Sequence, residues 1–184
     1  LASAWSQNKE PTPVEAQQPI ANDFIRTTVV SGRQIELSIC DLSGNESYSR
    51  LRPLSYRDVH VVLICFDISE PNSFENISEL WNIEAEHFLG DVPKILVGCK
   101  KDLRNDKAIL EELRKQNLMP ISPYAGDKLA IKMQALAYFE TSAVKQEGLA
   151  ELFDYVAEAS LKTPSSPKLT RLRRFLSRSE IKFR

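Results

Sequence analysis

Three short stretches of this chain put residue types that hold metal or approach phosphate just after apolar runs. The first is Asp41-Leu42-Ser43-Gly44-Asn45-Glu46. A carboxylate at the C-terminal end of a strand can hold Mg²⁺ through water, because that ion prefers hard oxygen and keeps several waters. It can equally cap a turn or a helix. Gly44 carries no side chain to keep a terminal phosphate from its backbone amide, or it is a simple turn glycine. The second stretch is Cys99-Lys100-Lys101-Asp102, which alone reads as a solvated loop. The third is Thr141-Ser142-Ala143, shortly before Gly148. Between them, Tyr48, Arg50, Leu51, Arg52, Pro53, Leu54 and Tyr56 mix charge with apolar groups, as an interface patch or an ordinary surface helix does.

The elements that must hold these residues follow from periodicity. Residues 24–30 and 33–40 are β-rich and meet at Ser31-Gly32, a hairpin signal. Ile35, Leu37 and Ile39 alternate with polar neighbours. Residues 59–66 are almost continuously apolar, which predicts a central buried strand, and 92–99 predict a second. A helix is expected from Ser73, with Ile77, Trp81 and Phe88 on one face. Short helices are expected over 109–116 and over 124–136, the latter with Leu129, Met133 and Leu136 inward. A short strand at 138–141 and a last amphipathic helix carrying Leu149, Leu152, Phe153 and Val156 complete the pattern. Strands alternating with helices predict an α/β fold with a mostly parallel sheet and helices on both faces.

The chain has 184 residues, enough for one domain with tails. Its 42% apolar and 27% charged content is that of a soluble domain, and its net charge of −1 points to no nucleic acid. Residues 1–19 are expected to be irregular, with Pro11, Pro13 and Pro19 among polar neighbours. Residues 20–161 form the domain. Residues 162–184 form a basic tail, with seven Lys or Arg against one acid over 168–184. That tail is expected either to meet an anionic membrane surface as an amphipathic helix or to stay solvated. No apolar run reaches the ~18 residues that a membrane-spanning helix needs. The start of the chain is too short and uncharged for a signal peptide. Cys40, Cys65 and Cys99 are expected to be buried thiols of a reducing compartment.

Residues 41–56 resemble the switch II region of Rho-family small GTPases, which reads Asp-Thr-Ala-Gly-Gln-Glu followed by a Tyr-x-Arg-Leu-Arg-Pro-Leu-Ser-Tyr run. Cys99 to Asp102 resembles the family's Asn/Thr-Lys-x-Asp guanine motif, and Thr141 to Ala143 its Ser-Ala loop. Residues 106–123 resemble the helical insert that separates Rho proteins from other small GTPases. The resemblance implies a P-loop NTPase fold of the small-GTPase kind, binding GTP or GDP with Mg²⁺. It implies that Asp41 holds Mg²⁺ through water and that the Gly44 amide senses the terminal phosphate. Asp102 would accept two hydrogen bonds from guanine, the Lys100 stem would cover the base, and the Ser142-Ala143 backbone would meet the guanine oxygen. The 48–56 surface would be read by exchange factors, GTPase-activating proteins and effectors.

The departures from that pattern shape the expected function. No Gly-x-x-x-x-Gly-Lys-Ser/Thr phosphate loop occurs in these residues. The first strand and P-loop are therefore expected to lie before residue 1 or to be absent. Asn45 stands where the family has the Gln that orients the attacking water, so hydrolysis is expected to be weak or absent. Cys99 replaces an Asn or Thr with a weak donor and acceptor. The switch I threonine falls on Pro19, with Thr12 as a substitute only through an insertion. No cysteine follows Cys99, so the family's prenylated terminus is not expected here. A Rho-type signalling switch is the first expectation, cytoplasmic or peripheral at the inner membrane face. The alternatives are a pseudo-GTPase interaction module without nucleotide and a truncated fragment.

Overall fold

The computed structural model describes residues 1–7 and 22–163. Thr12, Pro19 and the basic residues 168–184 lie outside the described residues, with the expectations attached to them.

A first helix, α1 (Ala2–Gln7), precedes the hairpin of β1 (Asn22–Val30) and β2 (Arg33–Asp41), which pair antiparallel with Val30 opposite Arg33. Ser31 and Gly32 both have positive φ, 51° and 75°. That is the backbone of a type I′ turn, whose twist matches the flanking strands. Three parallel strands follow, β3 (Val62–Asp67), β4 (Lys94–Cys99) and β5 (Ala137–Glu140), in the order β3-β4-β5. Helix α2 (Pro71–Asn76) runs through a π-helical turn, Ile77–Trp81, into α3 (Asn82–Leu89) between β3 and β4. Helices α4 (Lys107–Lys115) and α5 (Pro123–Lys132) join β4 to β5, and α6 (Leu149–Lys162) closes the domain.

Strand alternation sends β4 side chains into two separate cores. Ile95 and Val97 pack with Leu152, Phe153, Val156 and Ala157 of α6, with Trp5 of α1, and with Val30 and Leu37 of the hairpin. Leu96, with Ile64 and Phe66 of β3, packs against Ile77, Ala85, Leu129, Ala130 and Met133. Helices thus cover the parallel sheet on both faces. Such a strand needs a continuous apolar run, which is what residues 95–97 supply.

Four expectations change. The apolar run 59–66 yields β3, but β3 is an edge strand among the described residues; β4 is the central one. Among the described residues no strand lies between β2 and β3, so the strands form a two-stranded sheet and a three-stranded sheet that share one core. Residues 2–7 are helical rather than irregular. Trp5 anchors that helix by stacking on Phe153 at a centroid distance of 4.4 Å, and Arg26 Nη1 donates to the Trp5 carbonyl. Cys40 and Cys65 are exposed and Cys99 is half-buried, where buried thiols were expected. Cys40 and Cys65 lie on β2 and β3, while Cys99, at the end of β4, packs against the first core. Leu136 faces solvent, because α5 stops at Lys132 and Leu136 falls in the connection to β5.

Candidate functional site

Parallel pairing brings the C-terminal ends of β4 and β5 side by side, and the loops leaving them carry Lys100, Asp102, Ser142 and Ala143. Loops at the carboxyl ends of parallel strands are where α/β sheets bind ligands. Several bonds tie the two loops together. Thr141 N–H donates to the Gly98 carbonyl at 2.8 Å, and Lys101 N–H donates to the Thr141 carbonyl at 2.9 Å. Ser142 Oγ donates to Asp102 Oδ1 at 2.5 Å and accepts from Lys145 N–H. One Asp102 oxygen is thereby oriented by a buried hydroxyl. A carboxylate has lone pairs on both oxygens, so it retains acceptor capacity for a ligand.

Two further devices fix these loops. Gly148 caps the start of α6 in the left-handed region at φ 71°, and a Cβ there would strike the Glu140 carbonyl. Only glycine meets both conditions. Arg104, in the 3₁₀ turn Lys101–Asn105, reaches both carboxyl oxygens of Glu140 and donates twice to the Ile121 carbonyl. Burial alone would raise the Glu140 carboxyl, but its bonds to Arg104 and Tyr138 outweigh this and hold it below the usual glutamate value. Burial, then the bond to Glu140, lifts the Tyr138 phenol far above its ordinary value.

Lys100 adopts a left-handed backbone at φ 58°, and its ammonium pairs with Asp67 Oδ2 at 2.6 Å. Burial would raise Asp67 as well, but bonds from Lys100 and Ser69 hold it below the ordinary carboxylate value. Asp67 was not singled out from the sequence. Its signal was a carboxylate ending an otherwise apolar strand, the same pattern that drew attention to Asp41.

The second group, Asp41, Gly44 and Asn45, lies exposed at the end of β2 and in the loop beyond it. Asn45 caps the 3₁₀ turn Glu46–Tyr48, its Oδ1 accepting from Ser47 N–H at 2.9 Å. Arg52 fixes this loop from below. Its Nη1 donates to the Ser43 carbonyl at 2.8 Å and to the Asn45 carbonyl at 3.3 Å, bracketing Gly44. Its Nε and Nη2 grip both oxygens of Glu84, and its guanidinium lies 4.8 Å from the Trp81 ring centroid. Tyr56 Oη donates to the same Glu84 carboxylate. Burial, then the bond to Glu84, lifts the Tyr56 phenol well above its ordinary value. Glu84 is held below the usual glutamate value, because its bonds to Arg52 and Tyr56 outweigh its burial.

Arg52 and Pro53 therefore depart from the expected exposed run: both are buried. A bidentate guanidinium on a buried carboxylate is worth more to the fold than an exposed charge, and removing one partner of such a pair costs ~3–5 kcal/mol. Arg50, Leu51 and Leu54 remain exposed, while Tyr48 and Tyr56 are half-buried.

Asp102, Lys100 and the Ser142-Ala143 loop fit the base half of a guanine site: an oriented carboxylate, a neighbouring lysine, and a backbone loop across from both. On the phosphate side, Asp41 offers one hard oxygen ligand and Gly44 an unobstructed backbone. A lone carboxylate suits Mg²⁺ only as a companion to phosphate oxygens and water.

Residues 5–162 match the Ras family. The chain is 45% identical over 152 residues to the GTP-binding protein rho5 of Schizosaccharomyces pombe, covering 81% of this chain and 76% of that protein. It is 46% identical over 142 residues to the GTP-binding protein Rho1 of Kluyveromyces lactis, covering 77% and 68%. It is 43% identical over 142 residues to the GTP-binding protein rho1 of S. pombe, covering 77% and 70%. The chain belongs to the Ras family and, within it, to the Rho-type small GTPases.

Glu140 and Glu84 set a pH dependence. Both have depressed folded-state values, so their contribution to stability is full above the ordinary glutamate value of ~4.3 and is lost as pH falls through their lower folded values. The melting temperature is expected to drop between about pH 5 and pH 3. Glu140→Gln should lower the melting temperature at neutral pH and flatten its acid dependence, measured by thermal denaturation across that range.

Proposed function

We propose that this chain is a guanine-nucleotide switch module that binds GTP or GDP through Asp102, Lys100 and the Ser142-Ala143 loop. The observation that carries this is the Ser142–Asp102 hydrogen bond, which pre-orients the carboxylate on which guanine discrimination would depend. The related rho5 and Rho1 proteins are all GTP-binding proteins by name. Guanine presents two N–H donors to such a carboxylate, and adenine presents no matching pair. Lys100 would leave Asp67 to lay its stem against the base. Mg²⁺, when bound, would neutralise phosphate charge beside Asp41, and Gly44 would bring its amide to the terminal phosphate.

Hydrolysis is expected to be slow. Asn45 is one methylene shorter than glutamine, and its carbonyl oxygen already caps the turn that follows. A misplacement of about 1 Å in a positioning group costs about 100-fold. The exposed Arg50, Leu51 and Leu54 beside the Arg52–Glu84 clamp would meet exchange factors, GTPase-activating proteins or effectors. A cytoplasmic, membrane-peripheral placement would draw on the basic residues 168–184. Among the described residues no helix is long and apolar enough to cross a membrane.

Titration of a fluorescent guanosine diphosphate, with and without Mg²⁺, tests the base site. Asp102→Ala should weaken binding ~10–100-fold, the loss of charge-assisted hydrogen bonds worth about 1.5–3 kcal/mol each, and should abolish preference over adenosine nucleotides. Equal binding by the variant, or no binding by the parent chain, would favour an interaction module without nucleotide. At saturating GTP, Asn45→Gln should raise single-turnover hydrolysis up to ~100-fold. An unchanged rate would place the catalytic shortfall elsewhere.

A further inference from the structure

Cys65 and Cys99 sit on neighbouring parallel strands at the base of the Lys100–Asp102 loop. Cys65 is paired in register with Val97, and Cys99 lies two residues further along β4. Strand alternation therefore puts both thiols on the same face of the sheet as diagonal neighbours. Each thiol perturbs the other, Cys99 raising the Cys65 thiol and Cys65 lowering that of Cys99. Cys65 is exposed and Cys99 half-buried, so a small oxidant in solvent reaches the pair. A third group completes the cluster. The Thr141 hydroxyl, beside Cys99, is buried without a hydrogen-bond partner.

We infer that Cys65 and Cys99 form a redox-active dithiol, which a peroxide converts to a disulfide stapling β3 to β4 beside the base-binding loop. Cys65 and, to a lesser degree, Thr141 lower the Cys99 thiol, which makes Cys99 the attacking sulfur. Its thiolate takes one oxygen from the peroxide, giving a sulfenic acid and releasing hydroxide, which the thiol proton neutralises. The Cys65 sulfur then attacks the Cys99 sulfur, forming the S–S bond and expelling water. In sum, two thiols and one hydrogen peroxide give one disulfide and two waters.

The geometry makes this bridge reversible. Diagonal neighbours in a flat parallel ladder have Cα atoms about 8 Å apart. An unstrained disulfide needs less than ~7 Å. Bridging must therefore slide β3 along β4 by about 1.5 Å. Among the described residues β3 pairs with β4 alone, so that one ladder is what must give. A strained, accessible disulfide is more readily reduced than a structural one. The movement would act on the Asp67–Lys100 ion pair, because Asp67 lies two residues beyond Cys65 on β3 and Lys100 follows Cys99. A change in guanine-nucleotide affinity is thus a consequence that rests on the nucleotide reading above.

The test is peptide mapping under non-reducing conditions after treatment of the whole chain with hydrogen peroxide. The expected product is a cross-linked Cys65–Cys99 peptide pair, lighter by two hydrogens and reversed by a dithiol reductant. Cys65→Ser and Cys99→Ser should each abolish it, and Cys40→Ser should leave it intact. Full alkylation of both thiols after peroxide, conversion of either to a stable sulfinic acid without a bridge, or linkage only between chains would overturn the proposal. The oxidised and reduced forms should differ several-fold in affinity for a fluorescent guanosine diphosphate. Equal affinity in both forms would overturn the regulatory consequence. A bridge formed on a chain that binds nucleotide in neither form would support the dithiol and count against the nucleotide site.

Discussion

Everything proposed for this chain depends on two parallel strands ending at the same level. Once β4 and β5 are paired in register from Ile95 opposite Ala137 to Gly98 opposite Glu140, the loops that follow emerge next to each other. Their backbone polar groups must then be satisfied locally, since a buried unpaired group costs ~1–3 kcal/mol. The backbone bonds Lys101 to Thr141 and Thr141 to Gly98 do this, and the Ser142 side chain adds a bond to Asp102. The same bonds that complete the fold also aim a carboxylate outward. The recognition chemistry proposed for this site would then be a by-product of how the strand ends are closed.

The 41–56 segment follows a different logic. It has no strand partner beyond β2 and is held by side chains. Arg52 bonds carbonyls on either side of Gly44 while gripping Glu84 of α3, and the π-helical turn at Ile77–Trp81 sets Trp81 against the same guanidinium. π-turns recur at functional sites because they redirect one residue of an otherwise regular helix. Here the redirected residue also meets Gly44, where an added Cβ would lie 3.4 Å from the indole. Fixing one flank of the loop on α3 leaves Leu51 and Leu54 outward, where a partner can reach them. The clamp thus separates residues that hold the loop from residues that present it.

Local patterns in the chain already carried the hairpin, the three parallel strands and the last helix. Alternation and continuous apolar runs report directly on burial, and Ser31-Gly32 reports on turn geometry. The base-site residues were legible as a resemblance, and their mutual bonding was not, because Asp102 and Ser142 are forty positions apart. Edge against centre was misjudged for β3: an apolar run states that both faces are covered and says nothing of how many neighbours a strand has. Arg52 read as a surface charge, since only its partner Glu84, in the first turn of a separate helix, offsets the cost of its burial. Trp5, as a helical residue, fills the core against Phe153.

The central claim is that the β4 and β5 loops form a pre-built guanine-reading site whose Asp102 is aimed by Ser142. Amide chemical-shift mapping with guanosine monophosphate and adenosine monophosphate tests it without calling on a phosphate cradle or Mg²⁺. The account predicts saturable shifts confined to the amides of Lys100 to Asp102 and Ser142 to Lys145 with the guanine ligand, and none there with adenine. Identical responses to both ligands, or shifts that avoid these two loops, would contradict it.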